Sequence, residues 1–528
     1  MLLAINSWIV FGQQGGNNAG RKLNMVLYSI ENLYVDNVDN NKLADDAIIA
    51  LLKELDPHSN YLTPEEVKEM NEPLQGNFEG IGIQFNMLTD TLYVISVISG
   101  GPSEKVGLLA GDRIIEVNDT LIAGVKMKNS DIMSRLRGKK GSTVRVKVLR
   151  NKVPDLIEFK ITRDKIPIYS LDASYMIDKE TGYIRLSRFA ATSHEEFVKA
   201  FKELKSQGMK NLIFDLQDNG GGYLNAAIDI TNEFLSNGKT IVYTEGAHQR
   251  RDDAKSSGKG LFEEGKLVIL INEYSASASE IVSGAVQDWD RAVLVGRRSF
   301  GKGLVQRPIP LPDGSMIRLT TARYYTPSGR CIQKPYQNGD EESYSKDLIE
   351  RYNHGEMVSA DSIVFPDSLK SSTLINHRTV YGGGGIMPDY FVPLDTTKFT
   401  AFHRNLMAKG ILSKVTMNFI DHNRDLLKKK YATFKKYDEK FSPDEELMNE
   451  VLKMAREDKG GENPELSEKD MEEYNRSRLL IEMQLKGLIA RDLWEMKEYF
   501  QIMNNSNDIF RKALEIISNN DEYEKLLK

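Results

Sequence analysis

Two stretches in the middle of the chain each run from an apolar strand, through a corner of small residues, into a helical pattern. In "NLIFDLQDNGGGYLNAA" the strand-like run Leu212–Leu216 leads to three glycines, and in "KLVILINEYSASASEIVSGAVQDW" the apolar run Leu267–Ile271 leads to alternating serine and alanine. Other strand-like and helical segments alternate between residues 164 and 395. This alternation predicts an α/β layer architecture for that region.

The remaining regions differ in texture, and 528 residues exceed the length of one ordinary domain. Amphipathic spacing predicts a helical region over residues 22–75, and short alternating strands between glycine turns predict a β-rich domain over residues 76–163. A highly charged helical pattern over residues 396–528 is typical of a solvated bundle or an interaction appendage. The expected fold is therefore α/β multidomain, with the core over residues 164–395.

Composition makes one class of partner unexpected and excludes structures that depend on several cysteines. The net charge of −6 leaves no basic surplus for neutralising phosphates, so nucleic acid is not an expected partner. The single cysteine, Cys331, excludes an internal disulfide framework and a zinc site built on cysteine pairs.

Residues 1–21 form a signal-like or disordered segment with two open interpretations. The apolar run in "MLLAINSWIVFGQQ" is about ten residues long, half of what a membrane span requires. It has the length of a signal-peptide core, yet no lysine or arginine precedes it and no clear cleavage site follows. An export signal and a disordered or packed terminus both remain possible.

The stretch "GRRSFGKGLVQ", Gly296–Gln306, begins with the spelling of a phosphate loop. A phosphate loop needs Ser or Thr after its lysine and a helix behind it, whereas here Gly303 follows and three prolines would break a helix. Nucleotide is therefore not an expected ligand. Lys302 is either a surface lysine or a catalytic base, and a base requires a pKa lowered from about 10.4 to about 7–8.

Ser277 lies at the strand-to-helix corner and also has two interpretations. With Glu280 it spells a capping box, in which the two side chains satisfy amides at the start of a helix. The same orphan amides can stabilise an oxyanion if the serine is a nucleophile. None of the seven histidines lies in these apolar motifs, so Lys302 is the remaining candidate for its base.

In this order, the motifs "SASASEI", "SFGKGLVQ", "YYTPSG" and "GGGGIMPD" resemble the C-terminal processing (tail-specific) serine peptidases over residues 40–395. The resemblance implies a crotonase/ClpP-like core, helical terminal regions, and a mechanism without metal, nucleotide or other cofactor. One departure is that Gln217 and Asp218 occupy the place where the family usually has an arginine before its Asn-Gly-Gly. The loss could alter the anchoring of the glycine loop.

Carried over residue by residue, the resemblance assigns roles to five positions. Ser277 is expected to be the nucleophile, Lys302 its general base, and Gln306 the residue that positions the lysine. The amides of Gly222 and Ala278 are expected to form the oxyanion hole.

Residues 76–163 resemble the PDZ domain that this family inserts before its peptidase core. Adjacent glycine amides in "GIGI" can bind a terminal carboxylate, and the following strand edge, Gln84–Asn86, can pair with an extended peptide. The residues assigned to peptide binding are Gly80, Ile81, Gly82, Ile83, Ile132 and Leu136. In one interpretation the four apolar residues of this set form a socket for the last side chain of the peptide. In the other, at least two of them belong to the domain core.

These expectations describe a serine endopeptidase that recognises protein C-terminal tails through its PDZ domain and cleaves them by acyl-enzyme chemistry. Its partners would be protein or peptide substrates with free C-termini in a bacterial periplasm or cell envelope. The helical regions could form a homodimer, as in some relatives. The open alternative is a non-catalytic PDZ scaffold that only binds peptides.

Overall fold

The computed structural model describes residues 18–88, 90–151, 153–459 and 465–528. The signal-like or disordered segment expected over residues 1–21 falls outside the described residues as far as residue 17. The chain divides into two compact units. Of the described residues, the first unit contains 18–67, 306–320 and 336–346, and the second contains those within 68–305, 321–335 and 347–528.

The first unit is built on helices and a short strand. Its N-terminal elements are α1 (Asn18–Leu33), α2 (Asn40–Lys53) and β1 (Asn60–Leu62), followed by α3 (Pro64–Gln75), which continues into the second unit. Asp39 caps α2 by accepting hydrogen bonds from two amides of its first turn. β1 pairs antiparallel with residues 316–318.

Within the second unit, residues 77–167 form a β-rich domain. Its elements are β2 (Asn77–Gly80), β3 (Ile83–Leu88), β4 (Thr91–Val97), α4 (Pro102–Lys105), β5 (Arg113–Val117), β6 (Thr120–Leu121), α5 (Asn129–Leu136), β7 (Thr143–Leu149), β8 (Ile157–Thr162) and β9 (Asp164–Pro167). Strands β3-β4-β5-β7-β8 form an antiparallel sheet with β6 beside β5, and β2 pairs with β9 where the chain enters and leaves. In β7 the buried Val144, Val146 and Val148 alternate with more exposed residues, as expected for a sheet with one buried face.

The α/β core contains a six-stranded sheet in the order β10-β11-β12-β15-β16-β21, parallel except for β10. The elements between residues 171 and 391 are β10 (Leu171–Met176), β11 (Thr181–Leu186), α6 (Ser193–Ser206), β12 (Asn211–Asp215), α7 (Leu224–Asn232), β13 (Thr240–Gly246), β14 (Gln249–Lys255), β15 (Leu267–Ile271), α8 (Ala278–Asp288), β16 (Val293–Gly296), β17 (Leu304–Pro310), β18 (Met316–Tyr325), α9 (Glu341–Asn353), β19 (Lys370–Ser372), β20 (Thr379–Tyr381) and β21 (Tyr390–Phe391). Of these, β17, β18 and α9 belong in part to the first unit. Every residue of β15 is buried, which indicates a sheet covered on both faces.

Eight helices follow the core in the described part of the chain. They are α10 (Ala401–Ala408), α11 (Ile411–Lys430), α12 (Phe434–Lys440), α13 (Glu445–Lys459), α14 (Glu468–Leu493), α15 (Met496–Met503), α16 (Asp508–Ser518) and α17 (Asn520–Leu527). Helices α10–α15 contribute to a core of their own, whereas Ile509, Phe510 and Tyr523 of the last two helices pack on the central sheet. The charged pattern predicted only a solvated bundle or appendage, and for α16 and α17 that prediction is wrong. None of the described helices is both long and apolar enough to cross a bilayer.

Candidate active site

Ser277 occupies a strained corner between β15 and α8. Its backbone has φ 55° and ψ −111°, a combination that is rare for a residue with a side chain. Such conformations cost about 1–3 kcal/mol and persist only where the surroundings enforce them. Here the Ala276 amide donates to the Asn219 carbonyl at 3.0 Å, which ties the corner to the glycine loop after β12.

The Glu280 carboxylate joins this corner to the loop that carries Lys302. It is fully buried, and its Oε2 accepts hydrogen bonds from the amides of Ser277 at 2.7 Å and Lys302 at 2.9 Å. Its Oε1 accepts from the Gly301 amide at 2.7 Å and from the Ser299 hydroxyl. Burial raises the pKa of Glu280 to about 7. The capping-box interpretation found its bond to Ser277 but missed the link to the lysine loop, because that contact spans 22 residues.

Further contacts hold the lysine loop in place. The Tyr324 hydroxyl lies 3.1 Å from the Ser277 carbonyl and within hydrogen-bond reach of the Lys302 carbonyl. The Gly303 amide donates to Gln333 Oε1 at 2.7 Å. The backbones at Ser277 and Lys302 are therefore brought together by both Glu280 and Tyr324.

The glycine loop lies directly against the serine. An ideal Cβ on Gly221 would lie 2.9 Å from the Ser277 Cβ and 3.0 Å from the Ala278 nitrogen, and one on Gly222 would lie 2.1 Å from the Phe189 carbonyl oxygen. Both glycines have positive φ, so a side chain would be excluded by conformation as well as by space. Within the described residues, the Gly222 and Ala278 amides donate to no protein acceptor.

Gln306 lies in the first unit, where a short relay fixes its amide. Its Nε2 donates to Thr320 Oγ1 at 3.3 Å, and Thr320 Oγ1 donates to Asp56 Oδ1 at 2.9 Å. Asp56 also accepts from the Ser59 hydroxyl, which in turn accepts from the Thr320 amide at 3.0 Å. Because the threonine has one proton and gives it to a carboxylate, it can only accept from the glutamine.

Sequence reasoning missed this relay. The turn "DPHS" is the only local signal, since Asp56 also accepts from the amides of His58 and Ser59, as in an Asx-turn. Its partner Thr320 lies 264 residues further along the chain, so no local pattern could reveal the pair.

The residues predicted to bind peptide lie together in the β-rich domain, but most are inaccessible. Ile81, Ile132 and Leu136 are 3 %, 0 % and 4 % exposed and belong to the domain core, whereas Ile83 is half-buried at the start of β3. Gly80 and Gly82, which flank Ile81, are also buried. An open apolar socket formed by all four side chains is therefore absent from this conformation, and the core interpretation describes three of them.

Comparison with known families gives three matches. A model described as peptidase family S41 matches residues 180–342, and a model described as a PDZ domain matches residues 80–161. Residues 402–495 match a family of unknown function.

Two curated relatives and one solved structure illustrate the similarity. The carboxy-terminal-processing protease of Bartonella bacilliformis is 39% identical over 307 residues, which cover 57% of this chain and 69% of that protein. The carboxy-terminal processing protease CtpA of Bacillus subtilis (strain 168) is 33% identical over 329 residues, covering 62% and 70%. The structure named photosystem II D1 C-terminal processing protease is 30% identical with a TM-score of 0.33, covering 58% of this chain and 83% of that one.

Proposed function

This chain belongs to the carboxy-terminal processing proteases of peptidase family S41, and we propose that it cleaves peptide bonds with a serine–lysine dyad formed by Ser277 and Lys302. The family membership makes it a hydrolase with an α/β peptidase core, a PDZ domain and a helical C-terminal region. The observation that carries the proposal is the buried Glu280 carboxylate, which binds the amides of both proposed catalytic residues.

The chemistry is an acyl transfer. Lys302 takes the hydroxyl proton of Ser277 as Oγ bonds to the scissile carbonyl carbon, and the negative charge moves to the carbonyl oxygen. The amides of Gly222 and Ala278 stabilise that oxyanion, and their lack of protein acceptors in the described structure supports this role. The lysine returns the proton to the leaving amine and then activates a water molecule, which releases the acyl group.

Gln306 is proposed to orient the lysine amine. The relay through Thr320 fixes which end of the glutamine amide is the donor, and so leaves Oε1 as the free acceptor end for an ammonium or amine hydrogen. A neutral lysine requires about 3–5 kcal/mol of environmental destabilisation of its charged form, so its orientation and surroundings matter as much as its presence.

The PDZ domain is proposed to select substrates by their free C-termini. In the described structure the amides of Ile81 and Gly82 donate to no protein acceptor, which supports carboxylate binding at this loop. Substrates would be secreted or envelope proteins, met in the periplasm or cell envelope. The exposed Met25 and Leu33 of α1 support the expected homodimer through helical regions.

The decisive experiment compares wild type with Ser277→Ala and Lys302→Ala on an unstructured substrate that ends in an apolar residue. Both variants should bind the tail and lose cleavage while their circular dichroism remains unchanged. A matched substrate with an amidated terminus separates tail recognition from chemistry. If a serine-directed phosphonate fails to label Ser277 in wild type and no cleavage is detected, the peptide-binding scaffold becomes the better description.

A further inference from the structure

The glycine loop begins beside two carboxylates, one buried and one exposed. Asp215, at the end of β12, is fully buried, and Asp218, three residues on, has φ 62°. A buried carboxylate requires a charged or multiply hydrogen-bonded environment, and a positive φ outside glycine must be held by neighbouring contacts. Asp215 accepts hydrogen bonds from the Tyr183 hydroxyl at 2.6 Å and from the amide and side chain of Gln217. Neither residue carries a positive charge, so a cation that pairs with Asp215 has to come from another position.

Arg185, on the neighbouring strand β11, supplies it. Its Nη1 donates to Asp215 Oδ2 at 2.7 Å, while its Nη2 donates to the Gln217 carbonyl at 3.0 Å and to Asp218 Oδ2 at 3.1 Å. One guanidinium therefore binds Asp215, the last residue of β12, and two residues of the loop that follows, Gln217 and Asp218. The planar fork of arginine makes this three-way contact possible, and a lysine amine cannot reproduce it.

The loop is rigidly linked from this anchor to the serine corner. The Asp218 amide and carboxylate both bond to the Asn272 side chain, at 3.0 and 2.7 Å. The Asn219 carbonyl accepts from the Ala276 amide and from Ser279 Oγ at 2.8 Å. A shift of Arg185 would therefore move the segment that ends at Gly222.

The C-terminal helices cover this anchor. The Phe500 ring of α15 lies over the Arg185 guanidinium, with 4.6 Å between its centroid and Cζ, and only 8 % of Arg185 is exposed. Asn504 donates to the Tyr175 hydroxyl at 2.7 Å beside the same strand. A cation–π contact of this kind contributes about 0.5–2 kcal/mol and excludes water from the ion pair.

We propose that Arg185 is a positioning residue for the oxyanion-hole amide of Gly222, and that Phe500 fixes it, so that the C-terminal helical region supports catalysis. This inference rests on the proposed function, because it assumes that Gly222 acts on the oxyanion. It assigns to α15 a role beyond filling the protein core.

The test uses the full chain, with Arg185→Lys, Phe500→Leu and the matched control Phe402→Leu. Phe402 is a buried aromatic residue of the C-terminal helical core, more enclosed than the half-buried Phe500, and it packs in a different cluster from the one that Phe500 joins. Loss of one oxyanion donor lowers kcat by about 100- to 1000-fold, so a misplaced donor should give a fall of about 10- to 100-fold for Arg185→Lys and a few-fold for Phe500→Leu. KM should remain unchanged, and Phe402→Leu should lower the melting temperature without changing kcat per folded molecule.

A second measurement separates positioning from general destabilisation. A peptide aldehyde forms a hemiacetal when Ser277 Oγ bonds to its carbonyl carbon and the hydroxyl proton moves to the former carbonyl oxygen, which then occupies the oxyanion position. Its inhibition constant should rise in parallel with the fall in kcat, while binding of an uncleavable tail peptide stays constant.

Wild-type kcat and aldehyde affinity in both Arg185→Lys and Phe500→Leu would overturn the inference, as would an equal loss in Phe402→Leu. If Arg185→Lys does not fold, the kcat and aldehyde affinity of Phe500→Leu decide whether the inference holds. Ser277→Ala tests the proposed function separately: cleavage there at a rate near that of wild type would reject the dyad, whatever the positioning variants do.

Discussion

The serine corner and the PDZ loop both present backbone amides that donate to no acceptor in the described structure, but they are held in place by different forces. At the corner, directional hydrogen bonds to buried polar side chains fix the backbone, with Glu280 alone accepting four of them. In the PDZ loop the Ile81 side chain is held by apolar packing. The backbone carbonyl of Ile81 accepts hydrogen bonds from the hydroxyl and the amide of Ser103, whereas its backbone amide donates to no acceptor in the described structure. Hydrogen bonds define one geometry because they are directional, whereas apolar packing tolerates substitutions that conserve volume. The corner is therefore held in one geometry by polar contacts, and the PDZ loop depends on side-chain packing.

The largest effect is expected from a substitution that removes the proposed chemistry of the corner and leaves peptide binding by the PDZ domain intact. Replacing Ser277 by alanine should lower kcat by about 10⁴- to 10⁶-fold, because only binding and the oxyanion hole then remain. Affinity for a tail peptide, measured by fluorescence polarisation, should stay at the wild-type value. Ser283→Ala on the same helix, whose hydroxyl donates to the Ser279 carbonyl and to no other acceptor in the described structure, is the matched control and should retain activity. Cleavage by the Ser277 variant at a rate near that of wild type would contradict the separation of the two regions.

The same contrast explains what the sequence could reveal. The strand, corner and helix around Ser277 were predictable because a group of small and polar residues that interrupts an apolar pattern marks a change in local structure. Ile132 and Leu136 were ambiguous, because a socket and a core require the same side chains. Arg185 and Phe500 were missed because they meet across more than 300 residues of chain, and no local period records such a contact. The α/β architecture was thus accessible from the sequence, but the polar supports of the site were not.

Glu280→Gln tests whether directional bonds define the corner. The glutamine amide has one acceptor oxygen and would present an NH₂ group to two donors, so kcat should fall by about 100-fold through loss of geometry. Tail-peptide affinity should not change. A variant with wild-type kcat would show that the four hydrogen bonds of Glu280 are dispensable.

The same substitution should alter the dependence of stability on pH. Burial raises the pKa of Glu280 from 4.5 to about 7, so the folded state holds its proton more tightly than the unfolded state does. The stability contributed by this proton is complete below pH 4.5 and is lost as pH rises through about 7, a loss of about 3 kcal/mol. Urea unfolding of wild type at pH 5 and pH 8 should show this fall, and Glu280→Gln should lack it. An unchanged pH dependence in the variant would assign the fall to another group.

Within the PDZ domain, Ile132→Ala and Ile83→Ala separate core from socket. Ile132 is fully buried, so its truncation should lower the free energy of unfolding by about 2–4 kcal/mol, measured by hydrogen exchange of PDZ amides. Ile83 is half-buried, and its truncation should chiefly raise KM for tailed substrates. Equal stability losses for the two variants would mean that Ile83 is also core, and that the socket lies elsewhere.

The smallest effect concerns the relay behind Gln306. Thr320→Val keeps the shape of the side chain but removes the hydroxyl that accepts from Gln306 at 3.3 Å and donates to Asp56. Loss of one long hydrogen bond corresponds to about 0.5–1.5 kcal/mol, so kcat should fall by about 3- to 10-fold. Thr320→Ser retains the hydroxyl and should restore kcat, which distinguishes loss of the bond from loss of packing. In a Gln306→Ala background the same Thr320→Val change should have no further effect on kcat, because the group that it orients is gone. An additive loss in the double variant would instead mean that Thr320 acts on the first unit as a whole, and that the proposed catalytic lysine, Lys302, does not depend on this relay.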